Sequence, residues 1–355
     1  MKFPRILCYK SFYNFGIPKI LPLNLTVSVS YNCNSRCKTC NIWKKKAKDL
    51  SLEEYEKIFK NIGNSVFWAT ISGGEPFLRK DLSEIISLLY LYCKPTIINI
   101  PTNGLLGPYI AKKCVEIAKN CPKSQIVLNL SLDGIEEKHD EIRGIKGNWE
   151  RSIQTYQALR KIKSKNFSLG VHTVISKFNV KAIPKITDYI ITKLKPDSYI
   201  SEVAEERVEL DSIGAEITPD VKSYAKAIDY LSSKTTNSKV KGVSKFTMAF
   251  RKKYYEFAKK VLIDKKQAIP CYAGVASAQI SPEGDVWGCC VRAESLGNLR
   301  KNNYDFKKIW FGEKARKFRK SVKNKECACP LANAYYSSAI MDMKTITKVG
   351  FDMLR

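Results

Sequence analysis

The chain has 355 residues, of which 44% are hydrophobic, so it can bury one large core with an appendage or two domains. Its 61 basic and 34 acidic residues give a net charge of +27, which would attract anionic partners. No apolar run reaches the roughly 18 residues of a membrane span, and no signal-peptide core is present. We therefore expect a cytoplasmic protein whose clustered cysteines bind metal rather than form disulfides.

Residues 1–21 form a basic, aromatic N-terminal segment. Such a segment either lies on a membrane surface or packs on the protein body. We expect it to pack on the body, and we leave open a peripheral position at a membrane surface.

Short β-rich runs then alternate with helical patterns. The predicted strands are Asn24–Ser30, Val66–Ser72, Thr96–Thr102, Ile126–Leu132, Ser168–Val174 and Asp197–Val203. The predicted helices begin at Ser51, with a capping box to Glu54, and continue at Asp81–Tyr92, Tyr109–Lys119, Trp149–Lys161 and Ala182–Leu194. Because parallel strands need helical crossovers, this α/β alternation predicts a partial (β/α)6 barrel of parallel strands or an open doubly wound sheet.

We predict four regions along the chain. After the N-terminal segment, a core domain covers residues 22–205, and a mainly helical connecting region covers 206–267. A small cysteine-rich domain covers 268–355, and a turn signal at Ser281–Asp285 predicts a β-hairpin within it.

Three cysteines, Cys33, Cys37 and Cys40, follow the first strand with the spacing C-x₃-C-x₂-C. They should therefore lie on a loop at the C-terminal edge of the sheet, where ligands bind in α/β folds. Three thiolates can hold a cubane iron–sulfur cluster and leave its fourth iron open for substrate. A zinc site completed by a distant fourth residue is the alternative.

Further polar and glycine-rich motifs follow the next strands. Gly73-Gly74-Glu75-Pro76 ends the second strand, Thr102-Asn103-Gly104 follows the third, and Ser131-Leu132-Asp133-Gly134 ends the fourth, with Arg143 after it. Together with the cysteine trio, this series resembles the radical S-adenosylmethionine (SAM) superfamily over about residues 22–205.

The resemblance implies a 4Fe–4S cluster on the trio, with SAM bound at its open iron and cleaved reductively to a 5′-deoxyadenosyl radical. It also implies a one-electron donor such as a ferredoxin or flavodoxin. The residues implied to bind SAM are Gly73, Gly74, Glu75, Pro76, Asn103, Ser131, Asp133 and Arg143. Each has a simpler interpretation: the glycines serve turns, Asp133 caps a helix and Arg143 is exposed.

One position departs from the family pattern. The residue before the third motif cysteine is often aromatic in this family and contacts adenine, whereas here it is Thr39. Adenine would then rest on another residue, such as Ile42, Trp43 or a residue near Ile200.

Four further cysteines, Cys271, Cys289, Cys327 and Cys329, lie near the C-terminus. The predicted hairpin would bring Cys271 and Cys289 together. Their pattern resembles the shortened SPASM-like ("twitch") extension of radical SAM enzymes, which implies one auxiliary 4Fe–4S cluster held by these four. Adjacent Cys290 could replace one ligand, and a four-sulfur zinc site would use the same residues.

The resemblance implies an oxidoreductase or maturase whose radical abstracts hydrogen from a peptide or protein side chain, or from a small molecule. A lipid-linked or glycan substrate at a membrane surface is a second hypothesis, suggested by the basic surface and the N-terminal segment. A non-catalytic, zinc-stabilised binding protein is a third. We expect no nucleic-acid partner, because no RNA-binding module is recognisable.

Overall fold

The computed structural model describes residues 3–236 and 243–354. The helices are α1 Phe3–Phe15, α2 Leu52–Ile62, α3 Leu82–Cys93, α4 Pro108–Asn120, α5 Glu137–Arg143, α6 Asn148–Leu159, α7 Ile183–Tyr189, α8 Val221–Thr236, α9 Val243–Asp264, α10 Phe306–Trp310, α11 Glu313–Lys323, α12 Ala332–Ala339 and α13 Met343–Leu354. The strands are β1 Asn24–Ser28, β2 Trp68–Ser72, β3 Ile97–Thr102, β4 Gln125–Ser131, β5 Phe167–Ile175, β6 Ser198–Val203, β7 Ser277–Ile280, β8 Asp285–Trp287 and β9 Ser295–Asn298.

All nine of these strands form one sheet in the order β6-β5-β4-β3-β2-β1-β7-β8-β9. Strands β1 to β6 are parallel, and helices connect them, which confirms the predicted α/β alternation. The sheet is not closed into a barrel. Its parallel strands end along one edge, and the loops that follow them form the candidate site.

Helix α2 shows how local sequence sets an element boundary. Ser51 Oγ accepts a hydrogen bond from Glu54 N at 3.3 Å, and Ser51 N donates to Glu54 Oε2 at 2.8 Å. This reciprocal pair satisfies two backbone donors at the helix start, as the predicted capping box requires. Tyr55, Ile58 and Phe59 then face the core.

The C-terminal region continues the main sheet. Strand β7 pairs in parallel with β1, with Asn24 opposite Ser277, and the predicted hairpin joins β7 to antiparallel β8. The sequence did not indicate the pairing of β7 with β1, because that contact joins residues about 250 positions apart.

The segment between β6 and α8 is irregular, although a mainly helical region was predicted there. Its backbone instead bonds to distant loops: Val208 N donates to Val291 O at 3.0 Å, and Asn41 N donates to Leu210 O at 2.9 Å. These contacts replace the local hydrogen bonds that a helix would need. Helices α8 and α9 follow as predicted, and residues 237–242 lie outside the described part of the chain.

Helix α1 packs on the protein body, as expected for the N-terminal segment. Ile6, Tyr9 and Phe12 are buried in a cluster with Tyr272 and Met341. Tyr13 stacks on Tyr272 with ring centroids 4.4 Å apart. Leu7 and Phe15 face outward, with exposed fractions of 54% and 77%. Among the residues that the structure describes, no helix has both the length and the apolar character to cross a membrane.

Candidate functional site

The loop after β1 carries Cys33, Cys37 and Cys40 at the C-terminal edge of the sheet. Burial raises the pKa of all three thiols, that of Cys40 to about 12, and the neighbouring Cys37 and Cys33 add to the effect on Cys40. The three thiols are therefore close enough to influence one another. The structure thus brings together the three side chains that the sequence singled out.

The C-terminal end of α5 holds this loop through backbone hydrogen bonds. Arg36 N donates to Arg143 O, and Lys38 N donates to Ile142 O, both at 2.9 Å. Gly144 follows with a φ of +70°, and a Cβ added there would overlap the backbone oxygen of Arg36. Only glycine allows this close approach, so the position of the cysteine loop depends on Gly144.

Gly73 and Gly74 contact the same loop from β2. Gly74 N donates to Ser30 O at 2.7 Å. A Cβ on Gly73 would overlap Ser30 O, and one on Gly74 would overlap Asn32 O. Both glycines therefore serve to seat the cysteine loop on the end of β2, and their contact with SAM remains a prediction. Pro76 begins the short helical turn that follows.

Glu75 is 1% exposed and is bound by groups of the protein. Its carboxylate accepts hydrogen bonds from Asn103 N at 2.7 Å, Thr102 Oγ1 at 2.9 Å and Phe77 N at 3.2 Å. Burial raises its pKa to about 7, against the effect of these donors. Glu75 therefore ties the end of β2 to the end of β3, and its predicted role toward the amino group of SAM remains a prediction.

Asn103 links the end of β3 to the cysteine loop. Its Nδ2 donates to Asn34 Oδ1 at 2.7 Å and lies 3.9 Å from Cys33 Sγ. An amide N–H near a sulfur stabilises the thiolate form that a cluster requires. Ser131 lies at the end of β4, half-buried and opposite His172 of β5.

Asp133 and Arg143 form a buried ion pair, with Oδ2 and Nη1 2.8 Å apart. Burial alone would lower the pKa of Arg143, but the charges of Cys37 and Asp133 outweigh it and raise that pKa. Arg143 Nε is buried without a hydrogen-bond partner. Arg143 is thus a buried cation beside the thiols rather than the exposed residue of the simpler interpretation.

His139 supports this ion pair. Its Nδ1 accepts a hydrogen bond from Asp133 N at 3.2 Å, and its Nε2 lies 3.0 Å from Asn148 Oδ1. Burial, reinforced by the charge of Arg143, lowers its pKa to about 4, so the ring is neutral at physiological pH. No sequence pattern indicated this supporting role of His139.

Cys271, Cys289, Cys327 and Cys329 come together from three segments of the chain. Burial raises the pKa of Cys271 to about 12, with smaller contributions from Cys289 and Cys327. Cys329 is likewise affected by Cys271 and Cys289. A small cavity lined by Cys271, Cys327 and Cys329 lies among apolar side chains of α9 and α12. The hairpin therefore places Cys289 near Cys271, as predicted.

The segment 205–212 connects the two cysteine sites, which no sequence pattern indicated. On one side, Lys45 Nζ donates to Val208 O at 2.9 Å. On the other, Glu209 N donates to Cys290 O at 3.3 Å. Cys290 Sγ lies 4.0 Å from Arg207 Nη1, so this thiol faces the connecting segment.

The donor sets fit iron–sulfur clusters. Each site offers half-buried thiols that lie near one another, and the first adds the unpartnered Nε of Arg143 as positive charge for an anionic group. Within residues 3–236 and 243–354, no three His, Cys, Asp or Glu side chains converge tightly enough for a single metal ion.

Comparison with protein families assigns both regions. Residues 27–190 match the model of the radical SAM superfamily, and residues 271–330 match that of an iron–sulfur cluster-binding domain, SPASM. The first implies a 4Fe–4S cluster and SAM as cofactors, and the second implies auxiliary iron–sulfur clusters.

Two curated relatives align with most of the chain. The antilisterial bacteriocin subtilosin biosynthesis protein AlbA of Bacillus subtilis is 25% identical over 328 residues, covering 88% of this chain and 66% of AlbA. The AdoMet-dependent heme synthase of Methanosarcina barkeri is 26% identical over 316 residues, covering 85% of this chain and 84% of the synthase. The chain thus spans slightly less than two thirds of AlbA, and it spans 39% of the Fe-coproporphyrin III synthase of the same archaeon.

Solved structures share the fold. The SAM-bound crystal structure of Streptococcus suis SuiB has a TM-score of 0.63 at 21% identity, covering 87% of this chain and 70% of SuiB. The structure of anSMEcpe with bound AdoMet and a peptide has a TM-score of 0.62 at 17% identity, covering 94% of this chain and 99% of anSMEcpe. With both family models matched in the predicted order, the chain contains a radical SAM domain followed by a SPASM iron–sulfur cluster-binding domain.

Proposed function

We propose that the protein cleaves SAM reductively at a cluster held by Cys33, Cys37 and Cys40 and modifies a peptide or protein side chain. The observation that carries this proposal is the set of three thiols on one loop beside the buried Arg143 guanidinium. When bound, cluster and SAM supply a radical able to abstract hydrogen from an unactivated carbon.

The chain's own residues prepare the site. Arg143 lowers the pKa of Cys37 against the larger effect of burial, which favours the thiolate that binds iron. Asp133 holds Arg143 in place, and Asn103 approaches Cys33. Gly73, Gly74, Glu75, Pro76 and Ser131 complete the strand ends where SAM would lie.

The substrate class rests on the relatives. AlbA is named for bacteriocin biosynthesis, SkfB of the same bacterium for maturation of a sporulation killing factor, and MftC for maturation of mycofactocin. SuiB has been solved with a precursor peptide and anSMEcpe with a peptide. The heme synthase relative supports a small-molecule substrate as the second candidate. The comparisons lend no support to a lipid-linked or glycan substrate or to a zinc-stabilised binding protein.

The C-terminal cysteines would hold an auxiliary cluster. Cys271, Cys289, Cys327 and Cys329 are its proposed ligands, and Cys290 faces Arg207 instead. Such a cluster could accept an electron from the substrate, which would make the reaction a net oxidation.

The test is SAM cleavage by anaerobically reconstituted protein. Reduced by dithionite, the parental protein should form 5′-deoxyadenosine, and Cys33→Ala should not. Equal rates for the two proteins would refute the assignment. Iron analysis gives a second readout, because two cubane clusters contain about eight irons per chain, whereas zinc without iron would favour the binding-protein hypothesis.

A further inference from the structure

A buried group of charged side chains lies beside segment 205–212, between the two cysteine sites. It consists of Glu202, Glu205, Arg207 and Glu209, and we call it the glutamate chamber. Glu205 and Glu209 are each 7% exposed. Arg207 Nη2 lies 3.1 Å from Glu205 Oε1 and 3.6 Å from Glu202 Oε2. Two carboxylates thus lie within 4 Å of one guanidinium, with Glu209 on the same segment, in a protein whose net charge is +27.

Three atoms of the glutamate chamber have no hydrogen-bond partner although they are buried. These are Arg207 Nε and both carboxylate oxygens of Glu205, of which Oε1 still lies within ion-pair distance of Arg207. Glu209 differs, because its Oε1 accepts hydrogen bonds from Ser28 Oγ at 3.2 Å and from Gln279 Nε2. A buried polar atom without a partner costs about 1–3 kcal/mol, so Glu205 is the carboxylate that a ligand would satisfy.

The position of the glutamate chamber fits a substrate site. On one side, Asn41, which follows Cys40, donates from its backbone N to Leu210 O at 2.9 Å, next to Glu209. On the other side, Glu209 N donates to Cys290 O at 3.3 Å, and Arg207 Nη1 lies 4.0 Å from Cys290 Sγ, next to Cys289. A group bound at Glu205 would therefore stand between the two cysteine sites.

Two other cations nearby are bound to backbone oxygens rather than to Glu205. Lys45 donates from Nζ to Glu209 O at 2.8 Å, and Arg251 donates from Nη1 to Tyr199 O at 2.8 Å. His172 Nε2 lies 3.7 Å from Glu202 Oε1. Clusters on the two cysteine sites would add negative charge, because each is bound by thiolates. A ligand that carries positive charge and donates a hydrogen bond would therefore satisfy the unpartnered oxygen of Glu205.

We propose that Glu205 binds a cationic nitrogen group of the substrate, an ammonium or a guanidinium, and holds it between the two cysteine sites. This inference rests on the proposed function only in taking the ligand to be part of the peptide substrate. Because the chain as a whole is strongly basic, long-range attraction would not bring such a group in. Selectivity must therefore arise from the local carboxylates.

The test is the binding of matched peptides to the anaerobically reconstituted holoprotein with SAM. The probes are blocked pentapeptides Gly-Gly-Xaa-Gly-Gly with Lys, Arg, norleucine or Glu as Xaa, and binding is measured by titration calorimetry. We expect the Lys or Arg peptide to bind at least about tenfold more tightly than the norleucine peptide, and the Glu peptide to bind most weakly.

Substitutions test whether the tighter binding of the Lys and Arg peptides depends on Glu205. Glu205→Gln should bind the Lys, Arg and norleucine peptides alike, and Glu202→Gln should lose part of the preference. Glu313→Gln is the matched control, because this carboxylate is exposed on α11 and pairs only with Lys317 in the described contacts. Iron content and the thermal midpoint of each variant report folding. If Glu205→Gln does not fold, the inference is tested by Glu202→Gln and by the binding of the four peptides to the parental protein.

Equal binding of all four peptides to the parental protein, or no measurable binding, would overturn this inference. A preference that survives in Glu205→Gln would overturn it as well. The proposed function fails separately: a parental protein that prefers the Lys peptide but forms no 5′-deoxyadenosine contradicts only SAM cleavage. One that cleaves SAM but binds all peptides alike contradicts only the role of Glu205.

Discussion

The two cysteine sites are built in different ways. The first takes three thiols from eight consecutive residues, and its loop is held by backbone hydrogen bonds to the ends of β2 and α5 and by the Asn103 side chain after β3. The second takes thiols from the loop before β7, the turn after β8 and the connection between α11 and α12. The first site is therefore a local structure placed on a sheet edge, whereas the second exists only once distant segments have packed.

A guanidinium lies beside the thiols of each site. In the first, Arg143 opposes the larger effect of burial on the pKa of Cys33 and Cys37, and Asn103 lies beside Cys33. In the second, burial raises the pKa of Cys271 to about 12 and of Cys289 to about 11, and the charge of Arg292 opposes this effect on Cys289. Both sites therefore pair thiols with a cation that favours the thiolate form that binds metal.

The difference between the two cysteine sites is tested most strongly by removing a ligand of the first site. Cys37→Ala should lower 5′-deoxyadenosine formation at least about a hundredfold and remove about four irons per chain, because the cluster loses one of three protein ligands. Cys8→Ala, in α1, is the control and should change neither. Parental activity in Cys37→Ala would show that the loop does not hold the catalytic cluster.

Removing a ligand of the second site should show whether the two cysteine sites bind iron independently. Cys289→Ala should remove about four irons while the rate of SAM cleavage without substrate changes less than about threefold, because distant independent sites behave additively. Iron analysis and 5′-deoxyadenosine assays on the same samples measure this. Loss of all iron would instead show that the sites form as one unit.

The backbone support of the first site is tested by a glycine pair. Gly144→Ala should lower the free energy of unfolding by about 3 kcal/mol, because the added Cβ overlaps Arg36 O at a φ of +70°. Gly147→Ala, at a φ of +75° with nothing within 4 Å of its Cβ, should cost only about 1 kcal/mol. Urea unfolding measures both, and equal losses would mean that the contact with the cysteine loop adds nothing.

The smallest expected effect concerns acid stability. The pKa of His139 is about 4 in the folded protein, below the ordinary value of 6.5, so the unfolded chain binds the proton first as the pH falls. Stability is therefore present above pH 6.5 and is lost toward pH 4, by about 2 kcal/mol between pH 7 and pH 5. His139→Gln should lack this part of the pH dependence in urea unfolding; an unchanged pH profile would contradict it.

The first site was predicted from the sequence more completely than the second, because the first depends on local features and the second on contacts between distant segments. Strand ends, cysteine spacing and the capping box of α2 are local features, so strands β1 to β6 could be placed in advance. The pairing of β7 with β1 and the irregular path of segment 205–212 depend on contacts between distant residues, which no local pattern encodes. The sequence also could not show that Arg143 is buried or that Glu75 is bound by Thr102 and Asn103.

Helix α1 has a practical consequence for handling the protein. The ring of Tyr13 stacks on that of Tyr272. Tyr272 follows Cys271 in the chain and precedes the β7–β8 hairpin. The N-terminal residues thus form part of the wall around the second cysteine site. In a recombinant protein without its first 15 residues, the second cysteine site would be open to water and oxygen. An iron–sulfur cluster bound there would then be lost more quickly in air.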